Sequence, residues 1–513
     1  MVNWGRRFIC EKRDFLSRPF LQRKCLLTYN FGEYPDKNPS GRDRLEDLRK
    51  EALGKTSPGK ETEELSMEKQ ETKGRGRIVS LFDPGTFVEL GAYVRRRGEK
   101  GDVGEYDAVI CGYGAVNGKL TFAFVQDSDR TAGAMDEAGA LKIERLYEQA
   151  IMNGAPVIGV FDSAGAVVFD GASALSAYGR VMRCVSDASG VIPQIAYISG
   201  TCSGLAAMTA AMFDFSVSVD GQSDLYVNPT SITGKKTSDK TAVVAGNDGE
   251  ALGAIKELLA LLPQNNMDAA IAEPADDPNR PCNISGLCGI ELVKAVADNG
   301  AATEIYADSG KDTVTALAKI GGATVGVVAS NSSESCGRIT SAGAEKAAKL
   351  VRFCDSFNIP VVTLVDSEGI EQSADERLAP SCARLAAAYL DADCAMVSAV
   401  VGKAYGASYV LLGSRALGAD IALATEGALI STMPPESAVA FVWNDKITNS
   451  ESREDIEAKW NEEYANAELA AANGDIDDVV APEELRARIC AALYMLASKA
   501  DGIPSKKHTS MSL

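Results

Sequence analysis

Two glycine-bearing turns, Asp162-Ser163-Ala164-Gly165-Ala166 and Gly200-Thr201-Cys202-Ser203-Gly204, each follow an apolar run that reads as a buried strand. The second leads directly into a helix of small residues. A helix start carries unpaired backbone N–H groups and the positive end of a dipole. Two such turns facing one point make an oxyanion hole, which stabilises an enolate or a tetrahedral oxyanion without a side-chain base. Composition points the same way. The chain has 513 residues and a single histidine, His508, six residues from its end. A Ser-His-Asp or Cys-His nucleophile system needs an imidazole inside the site, and a tail histidine is poorly placed for that. The twelve cysteines show no CxxC pair and no zinc-ligand spacing, so no metal is expected on this chain.

One glycine at a strand–helix junction usually solves only a packing or positive-φ problem. Here the pattern occurs twice. Residues 118–165 reappear, displaced by 204 positions, at 322–369. Gly118 falls on Gly322, Ala138-Gly139-Ala140 on Ala342-Gly343-Ala344, Lys142 on Lys346, Pro156 on Pro360, Asp162-Ser163 on Asp366-Ser367, and Gly165 on Gly369. At an offset of 202, Gly200–Gly204 matches Gly402-Lys403-Ala404-Tyr405-Gly406. A period near 200 residues means two copies of a whole domain, and two related domains imply two related sites.

The elements that position these turns read alike in both copies. In the first, the pattern predicts strands at 120–125, 156–161, 194–198 and 213–219, with a helix over 138–153. In the second it predicts strands at 324–329, 360–365, 395–401 and 420–424, with helices over 342–356 and about 378–389. A helix at 249–262 ends at Leu262-Pro263, and the Asp- and Pro-rich stretch 273–281 reads as the interdomain linker. The expected domains are 67–270 and 285–513. Residues 1–66 lack sustained periodicity and read as a poorly structured or spurious extension, with Met67 as an alternative start. A net charge of −19 argues against nucleic acid as a partner. No apolar run reaches the roughly eighteen residues that span a bilayer, and scattered cysteines in apolar stretches (Cys111, Cys354, Cys394) fit a reducing cytoplasm.

Several segments carry a family resemblance: Leu81-Phe-Asp-Pro-Gly-Thr-Phe-Val-Glu-Leu90, Gly112-Tyr-Gly-Ala-Val-Asn-Gly118, Ser189-Gly-Val-Ile-Pro-Gln194, Leu261-Leu-Pro-Gln-Asn-Asn266, Val351-Arg-Phe-Cys-Asp-Ser-Phe-Asn-Ile-Pro360, Gly402–Gly406, Ser414-Arg-Ala-Leu-Gly-Ala-Asp420, Gly474-Asp-Ile-Asp-Asp-Val-Val480 and Lys506-Lys-His508. In this order and spacing, over about residues 74–513, the chain resembles the carboxyltransferase (beta-type) subunit of biotin-dependent acyl-CoA carboxylases and the alpha subunit of the related decarboxylases. The resemblance implies an α/β fold of two tandem crotonase-like (ClpP/crotonase superfamily) spiral domains. It implies transfer of a carboxyl group between carboxybiotin and an acyl-CoA, of the propionyl/methylmalonyl-CoA class, with no protein base. On the acyl-CoA side it places the oxyanion hole at Gly204 and Leu205, with Ala164, Gly165 and Ala166 opposite. On the biotin side it places the hole at Ala407 and Ser408, with Glu368, Gly369 and Ile370 opposite. The implied partners are a biotin carrier protein, a biotin carboxylase or membrane decarboxylase subunit, and further copies of this chain in a homo-oligomer, a hexamer. A cytoplasmic enzyme is implied, peripheral to a membrane complex in the decarboxylase case.

The sequence departs from the family pattern at Ser163–Gly171, at Leu205, at Ser367–Ser373, at Ala407-Ser408 and at Leu429. Three other readings therefore stand beside the first. One is the alpha subunit of a sodium-pumping decarboxylase, another a non-catalytic assembly subunit that keeps the fold, and the third a serine protease of the same broad fold using a Ser-Lys pair.

Overall fold

The computed structural model describes residues 71–97, 103–233, 241–268, 274–447 and 452–499. The extension 1–66 and His508 lie outside the described residues.

The duplication is complete at the level of sheet topology. Each half contains an eight-stranded mixed sheet. In the first, the order is Val88–Leu90, Val109–Val116, Lys119–Gln126, Val157–Ser163, Gln194–Ser203, Phe215–Val219 and Val243–Ala245, with Asp224–Tyr226 pairing to the far end of Gln194–Ser203. The second repeats that order with Ala302–Ile305, Thr313–Ile320, Ala323–Ser330, Val361–Ser367, Met396–Tyr405, Ile421–Thr425 and Asp478–Val480, and with Leu429–Ser431 as the extra strand. The first three strands of each sheet are antiparallel and the rest parallel. Parallel strands need crossover connections, supplied here by helices such as Glu137–Asn153 and Ser341–Ser356. No helix among the described residues is long and apolar enough to cross a membrane.

The expected strands and helices appear with ends shifted by up to two residues, except that the expected 194–198 and 395–401 run on through the turns to Ser203 and Tyr405. The antiparallel partner Val109–Val116 was not expected. Gly112 and Gly114 weaken a strand by propensity, yet Cβ atoms there would overlap the rings of Phe87 and Phe82, which cap the sheet. The described part of the linker, 274–281, holds neither helix nor strand. It is tied down by Asp276, which pairs with Arg280 at 3.0 Å and with the fully buried Arg486 at 3.4 Å.

Beneath the sheet ends lies a duplicated backbone contact. Thr131, Ala132 and Gly133 run in succession at φ +48°, +50° and +68°, and Ser335, Cys336 and Gly337 at +50°, +56° and +66°. Left-handed backbone costs a non-glycine residue about 1–2 kcal/mol. The return is two hydrogen bonds, Ala164 N–H to Ala132 O at 3.0 Å and Glu368 N–H to Cys336 O at 3.1 Å. A Cβ at Gly133 or Gly337 would overlap the carbonyl oxygen of Asp162 or Asp366. Gly133→Ala should therefore cost about 3 kcal/mol or more in denaturant unfolding. Gly221→Ala, at φ +68° with nothing within 4 Å of the added carbon, should cost only about 1 kcal/mol. Equal costs would contradict the close approach.

Asp214 precedes strand Phe215–Val219 and accepts the Gln194 N–H at 2.8 Å. Burial pushes its carboxyl up to about 7, against that hydrogen bond. The folded carboxyl keeps its proton where the unfolded one has lost it, so its stabilising contribution is full below about pH 4 and fades as pH rises towards 7. Relative to wild type, Asp214→Asn should gain on the order of 2 kcal/mol between pH 5 and pH 8. Paired urea titrations at the two pH values measure this, and a pH-independent difference would refute it.

Candidate active site

In each half the two expected turns meet at the C-terminal ends of neighbouring parallel strands. Ser163 pairs with Cys202 and Ser367 with Ala404, each after a register shift in the ladder. A Cβ on Gly165 would lie 3.5 Å from Ser203 O, and one on Gly369 would lie 3.6 Å from Tyr405 O. The ladder thus sets the two turns of each half side by side, with room for little more than a glycine between them. Both glycines have positive φ, +103° and +122°.

Gly204 precedes helix Leu205–Ala211 with φ +59° and ψ −122°, and Gly406 precedes helix Ala407–Leu411 with φ +58° and ψ −131°. That region is essentially reserved for glycine. It lets each strand break sharply into a helix whose first N–H groups have no acceptor within the helix. The glycine N–H groups themselves are used, Gly204 on Tyr226 O at 3.0 Å and Gly406 on Ser431 O at 2.8 Å.

Tracing each backbone N–H to its acceptor identifies the donors. In the first turn, Ala164 N–H goes to Ala132 O at 3.0 Å, Gly165 N–H to Ser163 Oγ at 3.1 Å and Val167 N–H to Met135 O at 3.1 Å. Only Ala166 N–H is left without an acceptor among the described residues. In the second, Glu368 N–H goes to Cys336 O, Gly369 N–H to Ser367 Oγ at 3.3 Å and Glu371 N–H to Ile339 O at 3.0 Å, leaving Ile370. Ala166 and Ile370 thus carry the unused turn N–H groups, and Leu205 and Ala407-Ser408 begin the adjoining helices.

Side chains at these turns support the backbone. Ser408 is fully buried and its hydroxyl donates to Tyr405 O at 2.9 Å and Ser367 O at 3.3 Å, stapling helix start to both turns. Glu368 accepts from Lys403 Nζ at 2.8 Å and Arg338 Nη2 at 3.0 Å. Its hydrogen bond to Lys403 is the main reason its carboxyl lies below the usual range. The aligned lysines have structural partners. Lys142 pairs with Asp107 at 3.1 Å, and Lys346 donates to Tyr306 O at 3.3 Å. Ser163 and Ser367 bond their own turns, so these two pairs of positions do not form Ser-Lys dyads.

A cavity of about 450 Å³ opens at Gly406 and Ala407, walled by Tyr409, Ile430, Thr432 and Tyr464. Another of about 650 Å³, lined by Arg95, Asp136, Glu144, Asp170 and Arg180, lies beside the Met135–Ala166 bridge of the first half.

A family model described as the carboxyl transferase domain matches residues 68–243 and 235–511. The chain belongs to this family. It is 32% identical to a propionyl-CoA carboxylase carboxyltransferase subunit of Haloferax mediterranei, over 92% of this chain and 99% of the relative. It is equally 32% identical to a methylmalonyl-CoA decarboxylase alpha subunit of Propionigenium modestum, over 87% of this chain and 95% of the relative. A crystal structure of transcarboxylase 12S, titled as a hexamer assembly with methylmalonyl-coenzyme A and methylmalonic acid bound, superposes with a TM-score of 0.80. That match has 30% identity and covers 93% of this chain and 99% of the other. The carboxyltransferase assignment replaces the protease reading.

In this carboxyltransferase a Cβ at Gly204 meets nothing within 4 Å, so the position faces open space. Gly204→Val would both strain the turn and put a branched side chain beside the Leu205 helix start. Loss of one oxyanion donor typically costs about a hundredfold in rate. A folded Gly204→Val protein that transfers carboxyl groups at the wild-type rate would show the expected oxyanion hole to be misplaced.

Proposed function

We propose that the turn and helix-start N–H groups of the two halves form the two oxyanion holes of one acyl-CoA carboxyltransferase, acting on the propionyl/methylmalonyl-CoA class. The observation that carries this is the matching backbone tracing of the turns, which leaves Ala166 and Ile370 N–H without an acceptor among the described residues, each turn adjoining a glycine-initiated helix start. Ala166 and Leu205 would hold the acyl thioester oxygen as it gains enolate charge. Ile370, Ala407 and Ser408 would hold the ureido oxygen of biotin. The residues present fit that group. Uncharged backbone donors suit a neutral ureido carbonyl, and the cavity at Ala407 mixes apolar lining residues such as Val410, Ile430 and Leu469 with polar ones such as Thr432 and Asn466. Biotin on its carrier supplies the ureido group that bears the carboxyl.

Water exclusion strengthens such donors, which need no reorganisation as charge develops. The proposed domains, 67–270 and 285–513, are crotonase-like spirals, with the acyl-CoA side first and the biotin side second. The proposed partners are a biotin carrier protein and either a biotin carboxylase or a membrane decarboxylase subunit, since the same component serves both directions. A hexamer completes the assembly, in which the first half of one subunit works with the second half of another. The residue changes at 367–373 and 407–408 motivated a non-catalytic assembly reading. The matched donor geometry at Ile370 and Ala407 supports a working second half instead.

An exchange assay with a biotin-carrier partner, across acetyl-, propionyl-, butyryl- and glutaryl-CoA, should give the highest rate with propionyl-CoA. Acyl-CoA binding without exchange from any biotin donor would favour the assembly subunit. Ser408→Pro removes one donor and the hydroxyl staple, and should abolish transfer from biotin while acyl-CoA binding persists, with oligomer state and melting checked in parallel. His508→Ala should leave turnover nearly intact. A loss above about a hundredfold with the oligomer preserved would be that of a general base.

A further inference from the structure

The peptide joining Gly165 to Ala166 carries one of the proposed donors, and its orientation is set from behind. A trans peptide is planar, so its N–H points opposite to its C=O. Gly165 O accepts from Met135 N–H at 2.9 Å, from the Tyr178 hydroxyl at 3.0 Å and, at 3.5 Å, from Ser163 Oγ. Tyr178 is 1% exposed, lies on helix Ala172–Ala188, and in turn accepts from Gln126 Nε2 at 3.1 Å. The chain of donors therefore runs Gln126 to Tyr178 to Gly165 O and through the amide to Ala166 N–H. Successive hydrogen bonds polarise one another, and a carbonyl that accepts two makes its own N–H a stronger donor.

The second half keeps a doubly accepting carbonyl and lacks the phenol. Gly369 O accepts from Ile339 N–H at 3.0 Å and from Ser367 Oγ at 3.2 Å, with no buried phenol among its partners. The shared backbone contact, Met135 or Ile339, builds the turn in both halves. The tyrosine is an addition specific to the acyl-CoA half.

We propose that Tyr178 is a positioning residue for carboxyl transfer, fixing and polarising the Gly165–Ala166 peptide so that Ala166 N–H is aimed at the acyl thioester oxygen. This rests on the reading of Ala166 and Leu205 as the acyl-side hole. The hydroxyl acts as a neutral donor throughout. Burial pushes the Tyr178 phenol up, opposed by its hydrogen bonds to Ser163 and Gln126, so it keeps its proton across the working pH range.

The test uses the complex with its biotin-carrier partner and propionyl-CoA labelled with ¹³C at the thioester carbonyl. Tyr178→Phe keeps the ring and removes the hydroxyl. It should lower kcat about tenfold with KM for the acyl-CoA within about twofold, the pattern of an interaction strengthened in the transition state. The infrared band of the bound thioester carbonyl should shift back toward its position in free propionyl-CoA. Gln126→Met, which breaks the chain one step earlier, should move both readouts in the same direction by less, and decides the matter if Tyr178→Phe does not fold. Tyr389→Phe removes another buried phenol, bonded to Thr363 Oγ1 at 2.8 Å away from both turns, and should leave kcat and the band unchanged. Wild-type kcat and band in Tyr178→Phe, or a rise in KM alone, would reduce Tyr178 to packing. Gly204→Val in the same series separates the two levels. If it is impaired while Tyr178→Phe is not, only the positioning role falls. If it too is unimpaired with an unshifted band, the acyl-side hole is wrong and the proposal goes with it.

Discussion

The close packing of backbone against backbone at the strand ends is the constraint on which the rest depends. The carbonyl of Asp162 occupies the space a side chain at Gly133 would need, and its carboxylate fills the space beside Gly200. Asp366 stands in the same relation to Gly337 and Gly402. These contacts hold the left-handed turns 131–133 and 335–337 under the sheet, and those turns take up the N–H groups of Ala164 and Glu368. With those donors used, Ala166 and Ile370 carry the turn N–H groups that have no acceptor among the described residues. A helix start at Leu205 or Ala407, made possible by glycine, adjoins each turn and is the proposed second donor.

The two halves share this backbone and differ in what secures it. In the first, Ser128 Oγ and Arg77 bind the Asp162 carboxylate at 2.7 and 3.2 Å, and a tyrosine backs the turn. In the second, the Asp366 carboxylate takes the Lys403 N–H at 2.9 Å, while Glu368 bridges Lys403 and Arg338 across the mouth of the site. Ser408 staples its helix to both turns where the first half has Ala206. The two halves keep the same turn backbone and the proposed donors, and differ in the side chains around them.

Much of this was legible in the sequence because repeats at a fixed offset mark equivalent positions without any knowledge of their contacts. Gly165 and Gly369, and Gly204 and Gly406, were identified as turn residues by that means, and the structure places each pair of turns together. Choosing the donor within each turn required the third dimension. Ala164 and Ala166 are alike in sequence, and only the acceptor at Ala132 distinguishes them. Strand Val109–Val116 was hidden because its glycines lower propensity, and their reason, the rings of Phe82 and Phe87, comes from outside the repeat. Tyr178 carries no local signal, since it reads as a core aromatic, and Ser408 was expected for its backbone N–H, with nothing local to mark the role of its hydroxyl. Function followed from the family, whose segments are spread too thinly for any single one to decide.

The most direct measurement is a structure of the oligomer with a non-reactive methylmalonyl-CoA analogue bound. The account predicts the thioester oxygen at about 2.7–3.1 Å from both Ala166 N and Leu205 N, as an oxyanion hole requires. A thioester bound elsewhere, or held by side chains with those two N–H groups facing solvent, would contradict it.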